Sequence, residues 1–255
     1  KHASIGATAM EMAKKGKQSF LGFLPEAEIL ALSRGRLADV LLMGGAKISD
    51  KIAVMQILAK KAQDEGRKLK ILVGGGLANT LRLAAGKEVG NSLVENKEEA
   101  LADAKAILEL AEDGVIELVE PVDFRVLTES GEVETRKASQ IKDSDSIMDM
   151  GPETEKLFAR HLEGAEVAVW NGPVGKVEDE RFSKGTKAIV TALVDVDVAI
   201  IGGGDSAAAV EDFGMIDEFE TPSHISTGGG ASLKFFSKDG IKGLDAIVAL
   251  QEAKK

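Results

Sequence analysis

The sequence predicts an α/β protein with a doubly wound, mainly parallel β-sheet and helices on both faces. One observation is a repeated layout, because an apolar run is followed five times by a glycine cluster and a helical pattern. The segments are "ADVLLMGGAKISDKIAVMQIL", "KLKILVGGGLANTLRLAAG", "AEVAVWNGPVGKVEDERFSKGT", "VDVAIIGGGDSAAAVEDFG" and "SHISTGGGASLKFF". The second observation is that runs such as 40–43 and 198–201 are continuously apolar, as in strands buried on both faces. Strands that alternate with helices form parallel sheets.

The helical patterns between the apolar runs supply the expected crossovers. Apolar residues recur at helical spacing in 52–62 and 100–111, and Gly114 is suited to end the second helix. Pro152 fits the first position of a helix. Between residues 115 and 147 the pattern changes to short alternating strands with a turn at 129–131, which predicts a small hairpin excursion. This arrangement is typical of a Rossmann-like domain.

The composition excludes several classes of protein. The chain has 255 residues, a formal net charge of -10 and no Cys, so disulfides and thiol chemistry are absent, and we expect a cytoplasmic protein. The negative charge, the single Trp and the lack of Tyr argue against a nucleic-acid partner. No apolar run approaches the length of a membrane span and no leader-like segment opens the chain, so we expect no membrane partner.

The glycine clusters predict an anion site. Ligands of open parallel sheets bind at the carboxyl ends of the strands, where all the clusters fall. Glycine allows close backbone approach, and the following helix offers free N–H groups and the positive end of its dipole. For a single cluster taken alone, a tight turn that needs a positive φ is the better explanation. Five clusters on one edge favour a site for phosphate.

Known phosphate-binding motifs, present or absent, limit the classes of phosphate site that the sequence can form. The phosphate-loop form G-x-x-x-x-G-K-[ST] is absent. Gly202, Gly204 and Ala207 satisfy a loose dinucleotide form, so a dinucleotide-binding NAD(P) oxidoreductase domain is one alternative. A non-catalytic α/β module is another. A hydrolase built from Ser206, His224 and Asp205 would lack the G-x-S-x-G elbow.

Charged and polar residues follow the glycine turns. Lys47 and Lys51 are four residues apart, which predicts two ammonium groups on one helical face beside an anion, with a solvated lysine pair as the alternative. Asp205 is either a helix N-cap or a carboxylate that binds Mg²⁺. In proteins, Mg²⁺ usually retains several bound waters and is coordinated by one or two carboxylates together with phosphate oxygens. Ser206 could cap the helix or contact phosphate. Glu178 could accept hydrogen bonds from a ribose or lie on the surface.

Several motifs together resemble one family. "GGAKISDKI", "GGGLANT", "DMGPET", "WNGPVGKVE", "FSKGT", "GGGDSAAAVEDFG" and "SHISTGGGASLKFF" are similar, in order, to the C-terminal, nucleotide-binding half of phosphoglycerate kinases. The resemblance implies reversible phosphoryl transfer between 1,3-bisphosphoglycerate and ADP, giving 3-phosphoglycerate and MgATP. Phosphoryl transfer asks a protein mainly for positioning and charge stabilisation, which lysines, backbone N–H groups and Mg²⁺ supply.

The resemblance also implies roles for individual residues. Lys47 would steady the transferred phosphoryl group, Asp205 would hold Mg²⁺ through the nucleotide, and Glu178 would take the ribose. The implied catalytic residues are Lys47, Gly204, Gly228 and Gly229. The implied nucleotide-binding residues are Lys51, Gly74, Gly75, Asn171, Pro173, Glu178, Gly203, Asp205, Ser206 and Thr227.

The resemblance divides the chain into three parts. Residues 1–18 are expected to be a remnant of the 3-phosphoglycerate domain with the interdomain helix, and His2 a remnant of its substrate site. Residues 19–242 would be the nucleotide-binding domain, and 243–255 a C-terminal helix packing toward the absent domain. The family's catalytic Arg and basic substrate site have no counterpart here, so we expect the chain to be inactive alone. We also expect a monomer. "SIMDMGP", with Ile147 where glycine is common, and Lys176-Val177 depart from the family pattern.

Overall fold

The computed structural model describes residues 12, 15, 22–49, 51–226, 228 and 230–236. The predictions for His2, Thr227, Gly229 and the C-terminal helix at 243–255 therefore lie outside the described residues.

Helices and strands alternate along most of the chain, as predicted. The helices are α1 (Phe23–Gly35), α2 (Ile52–Asp64), α3 (Gly75–Ala84), α4 (Glu98–Glu112), α5 (Pro152–Leu162), α6 (Lys184–Val194), α7 (Gly204–Asp212) and α8 (Gly230–Phe236). The strands are β1 (Val40–Met43), β2 (Leu69–Val73), β3 (Ile116–Val119), β4 (Asp123–Leu127), β5 (Val133–Lys137), β6 (Ser146–Met150), β7 (Val167–Asn171), β8 (Val198–Gly202) and β9 (His224–Ile225). The exceptions to the alternation are the successive helices α3 and α4 and the successive strands β3 to β6.

Six strands form one parallel sheet in the order β3-β2-β1-β7-β8-β9. The chain builds outward from β1 on one side and returns to begin the other side at β7. In such sheets the crossovers diverge between the two central strands and leave a crevice at their carboxyl ends. The register pairs Met43 with Asn171 and Asn171 with Gly202, so three glycine turns begin at the same level of the sheet. The predicted doubly wound fold is confirmed.

Successive residues of the central strands alternate between two apolar layers. Leu41 and Met43 pack with α1, α2, α3, α4 and α8, whereas Val40 and Leu42 pack with α5, α6 and α7. All four residues of β1 are buried. This explains why the strand is continuously apolar, since a strand covered on both faces has no polar side.

The excursion between residues 115 and 147 is larger than the predicted hairpin. Strands β4 and β5 form the expected antiparallel pair, but β6 joins them in a separate sheet with the order β5-β4-β6. A small apolar cluster of Phe124, Val126, Ile141 and Ile147 packs within this sheet. β6 was not foreseen because it pairs with a strand about twenty residues earlier, which local alternation does not encode.

One carboxylate ties the second sheet to α5. Both oxygens of Asp123 accept hydrogen bonds from the start of α5, from the N–H of Glu153 at 3.1 Å and of Thr154 at 2.8 Å. Pro152 occupies the first turn, as predicted.

Among the residues described, no helix is both long enough and apolar enough to cross a membrane.

Candidate nucleotide site

The glycine turns after β1, β2 and β7 are hydrogen-bonded to one another. Gly45 N–H donates to the carbonyl oxygen of Pro173 at 2.7 Å, and Gly75 N–H donates to that of Val174 at 3.1 Å. A Cβ on Gly44 would lie 2.3 Å from the Pro173 oxygen, so no larger residue fits there. The predicted gathering of glycine turns on one edge is thus observed for these three of the five clusters.

A cavity of about 270 Å³ opens beside these turns. One part of its wall is apolar and includes Leu93, Phe124 and Val174; Glu178, Lys176 and Asp205 bring charge to the rest. The full lining is Gly45, Ala46, Gly75, Gly76, Asn79, Leu93, Pro121, Phe124, Ile147, Met148, Asp149, Met150, Pro173, Val174, Gly175, Lys176, Glu178 and Asp205. A mainly apolar pocket with a few convergent polar groups is the usual form of a small-molecule site.

The turns after β7 and β8 are joined by buried side chains. The Asn171 amide donates to the Gly202 carbonyl at 2.7 Å, and the Gly172 N–H donates to the Ser206 hydroxyl at 2.8 Å. The indole N–H of Trp170 donates to the Gly172 carbonyl at 2.8 Å. Asn171 is 5% exposed and Ser206 is fully buried, so the structure gives both side chains partners within the protein.

The two lysines differ in position. Helix α2 begins only at Ile52, and a turn in which Lys51 N–H donates to Ile48 O precedes it. Lys47 lies in the loop and is exposed, so the prediction that both lysines share a helical face is wrong. Lys51 is 8% exposed, and its Nζ lies 3.4 Å from where a Cβ on Gly45 would be. Its ammonium group therefore lies over the glycine turn after β1.

Asp205 lies in the first turn of α7, exposed and at the border of the cavity. The N-cap of α7 is Gly203, so the alternative that Asp205 caps this helix is wrong. Gly203 has a φ of 99°, which explains the glycine at this turn. The described part of the chain holds no group of three or more His, Cys, Asp or Glu side chains arranged to bind a metal.

A buried carboxylate was missed by the sequence interpretation. Asp149 lines the cavity, accepts from the N–H of Gly185 at 2.8 Å at the start of α6 and pairs with Arg125 at 3.2 Å. Burial raises the pKa of Asp149 to about 7, outweighing the Gly185 hydrogen bond and the charge of Arg125. Its motif, "DMGPET", was noted only for family resemblance, because nothing local distinguishes a buried from an exposed carboxylate.

Other predicted residues are placed as follows. Gly75, Pro173, Glu178 and Asp205 line the cavity. Gly74 and Gly203 immediately precede α3 and α7, Gly204 is the first residue of α7, and Gly228 lies in the sequence between β9 and α8. The cavity residues Leu93, Phe124 and Lys176 were not predicted, because they come from loops and from the second sheet.

The hydrolase alternative is wrong. Ser206 Oγ accepts from Gly172, whereas His224 Nε2 lies 2.7 Å from Glu28 Oε2. Ser226 Oγ also donates to Glu28. Burial opposes ionisation of Glu28, but these hydrogen bonds with His224 and Ser226 prevail and lower its pKa. This cluster joins α1 to the strand β9, and its hydrogen bonds include neither Ser206 nor Asp205.

Fold and site together define a doubly wound α/β domain with a glycine-walled ligand cavity at the switch point of its sheet. A sequence model of the phosphoglycerate kinase family matches residues 1–239. The chain belongs to the phosphoglycerate kinase family, and the oxidoreductase alternative is therefore wrong.

Similar proteins support this assignment. The phosphoglycerate kinase of Macrococcus caseolyticus is 41% identical over 89% of this chain and 56% of its own length. That of Enterococcus faecalis is 40% identical over 94% of this chain and 59% of its own length. The structure of phosphoglycerate kinase from Coxiella burnetii matches with a TM-score of 0.78 at 34% identity, covering 91% of this chain and 58% of that chain. The chain thus spans a little over half the length of these relatives.

Proposed function

We propose that this chain binds MgADP and MgATP and forms the nucleotide-binding half of a phosphoglycerate kinase. The complete enzyme would transfer a phosphoryl group reversibly between 1,3-bisphosphoglycerate and ADP, giving 3-phosphoglycerate and MgATP. The observation that carries the proposal is the cavity beside the interlocked glycine turns, with Lys51 over Gly45 and Asp205 at its border.

The cavity suggests how a nucleotide would lie. Its apolar wall at Leu93, Phe124 and Val174 suits a purine base, which is flat and buries apolar surface. Exposed Glu178 at the same cavity suits a ribose, since a carboxylate accepts hydrogen bonds from hydroxyls. The phosphates would then extend toward the first turn of α7, where free N–H groups and the helix dipole favour anions.

Asp205 fits a magnesium ion that arrives with the nucleotide. A single exposed carboxylate cannot form a metal site alone, but Mg²⁺ needs only one or two carboxylates when phosphate oxygens and waters complete its shell. Bound there, Mg²⁺ would neutralise phosphate charge. Lys51 and Lys47 would supply further positive charge as the phosphoryl group moves, and Gly204 and Gly228 would offer backbone N–H groups. The same role for Gly229 rests on the family resemblance alone.

The remaining roles follow from the same proposal. Gly74 and Gly75 would border the base, Asn171 and Pro173 would flank the nucleotide, and Gly203 and Ser206 would shape the phosphate end, while the role of Thr227 rests on the family resemblance alone. Ser206 would act by holding the Gly172 turn, because its hydroxyl is fully buried. We also propose that residues 19–242 act as one nucleotide-binding unit, monomeric and cytoplasmic, that takes 3-phosphoglycerate only together with a second domain of the enzyme.

Thermal unfolding with ligands tests the proposal. A ligand at 100 times its Kd stabilises the folded state by about 2.7 kcal/mol, so MgADP should raise the melting temperature by several degrees. NADPH at equal concentration is the control and should not. A shift with NADPH alone, or with neither ligand, would contradict the proposal. In a coupled kinase assay the chain should show turnover near background.

A further inference from the structure

The turn that precedes α2 is held by a carboxylate from another part of the chain. Glu95 Oε2 accepts hydrogen bonds from the backbone N–H groups of Ile48 at 3.0 Å and Ser49 at 3.2 Å. Its Oε1 accepts from the Ser49 hydroxyl at 2.8 Å. Lys47 and Lys51 lie one residue before and two residues after this pair. One side chain therefore takes three hydrogen bonds from the segment between the two lysines.

The hydrogen bonds are strong enough to bias the ionisation of Glu95. Partial burial would raise its pKa, but the Ser49 hydroxyl, the two N–H groups and the charge of Lys47 together lower it. The carboxylate is therefore ionised at neutral pH, and its bonds to the turn are charge-assisted.

The segment that carries Glu95 is also attached to the cavity. Glu95 N–H donates to the Thr80 hydroxyl at 3.0 Å, and that hydroxyl donates to the carbonyl oxygen of Gly76 at 2.8 Å. Gly76 and Leu93 both line the cavity. The Leu93 carbonyl accepts from the Asn79 amide at 3.2 Å. Residues 93–95 thus connect the apolar wall to the lysine turn.

We propose that Glu95 is a positioning residue that sets the lysine turn, defined as residues 47–49 with Lys51, for the phosphates of a bound nucleotide. The inference rests on the proposed function. Because Leu93 and Glu95 are two residues apart, a base packed against Leu93 and phosphates facing Lys47 and Lys51 would share one rigid support. Glu95 would act through the two lysines and would not touch the nucleotide.

A charge effect and a positioning effect of Glu95 have opposite signs. If its negative charge mattered only through the local potential, removing it would strengthen the binding of a polyphosphate. If the carboxylate positions the turn, removing its acceptor oxygens should weaken binding. Gln separates the two, because its amide oxygen can still accept from the N–H groups and its NH₂ can donate to the Ser49 hydroxyl.

Titration calorimetry with MgADP and with adenosine on the full chain tests the proposal. Glu95→Ala should bind MgADP about tenfold more weakly, the loss of roughly one charge-assisted hydrogen bond. Glu95→Gln should stay within about threefold of the original chain, and adenosine affinity should change less than about twofold in both. Glu109→Ala, at an exposed position of α4, is the matched control and should change neither affinity.

Each other outcome overturns the inference. If Glu95→Ala binds MgADP as tightly as the original chain, or more tightly, then the lysine turn does not need Glu95 to hold its position. Equal losses for adenosine and MgADP show general damage to the fold. If the original chain binds no MgADP, the proposed function fails and this inference falls with it, whereas normal MgADP binding with an unaffected Glu95→Ala removes this inference alone.

Discussion

The Asn171 side-chain amide donates a hydrogen bond of 2.7 Å to the carbonyl oxygen of Gly202, joining the carboxyl ends of β7 and β8. The two residues are direct neighbours in the sheet register. The Gly203 turn packs closely against the Asn171 side chain, because a Cβ built on Gly203 would lie only 2.8 Å from Asn171 Nδ2. The turn that opens α7 is therefore shaped from the neighbouring strand as well as by its own glycines.

Gly203→Ala should destabilise the protein by about 1 to 3 kcal/mol, because alanine at a φ of 99° is strained and its Cβ would contact Asn171. Gly204→Ala is the matched control. No atom lies within 4 Å of a Cβ there, so stability should change by less than about 1 kcal/mol. Urea unfolding measures both. Equal effects would show that the turn conformation does not require glycine at 203.

Asp149→Asn should change how stability depends on pH. The folded-state pKa of Asp149, about 7, lies above its ordinary value of 3.8, so the folded state binds the proton more tightly. Its contribution is fully present below pH 4 and is lost as pH rises to about 7. Relative to the original chain, the Asn variant should gain about 2 kcal/mol between pH 5 and pH 7.5.

Urea unfolding of both proteins at the two pH values measures this difference. Arg125 and Glu155, which face Asp149, are unchanged in the variant, so comparison with the original chain isolates the carboxylate. A constant difference in unfolding free energy across this range would show that Asp149 is ionised at both pH values.

Asp205→Ala should weaken binding of MgADP roughly tenfold and of metal-free ADP by less than threefold, since the carboxylate would act through the ion. Glu211→Ala, exposed near the end of the same helix, is the control for a change in charge. Calorimetry with Mg²⁺ and then with a chelator provides the four affinities. Equal losses with and without Mg²⁺ would remove the metal role from Asp205.

Trp170→Phe should cost about 2 to 4 kcal/mol, because it reduces a fully buried side chain and leaves the Gly172 carbonyl without its donor. Phe158→Leu removes volume from the same apolar layer without touching a hydrogen bond and should cost less. Because Gly172 borders Gly44 and Gly45, only the Trp170 variant should also weaken MgADP binding. If the two variants weaken MgADP binding to a similar extent, the indole of Trp170 has no specific role in the site.

Local patterns in the sequence were sufficient for the main sheet and for the position of its glycine turns. The continuous apolar runs indicated strands that are buried on both faces, and the glycines at the ends of these runs indicated the positions of the turns. The motif set identified the family, which the comparisons confirmed. These features are local because strand burial and turn conformation depend mainly on the residues that form them.

Tertiary structure decided which side chains share the cavity. Phe124 reaches it from the second sheet and Leu93 from the loop after α3. The same long-range packing buried Ser206, raised the pKa of Asp149, and placed Glu95 on the lysine turn. Contacts between residues distant in the chain, and the desolvation they cause, depend on how the crossovers and the second sheet pack, and no local period in the sequence carries that information.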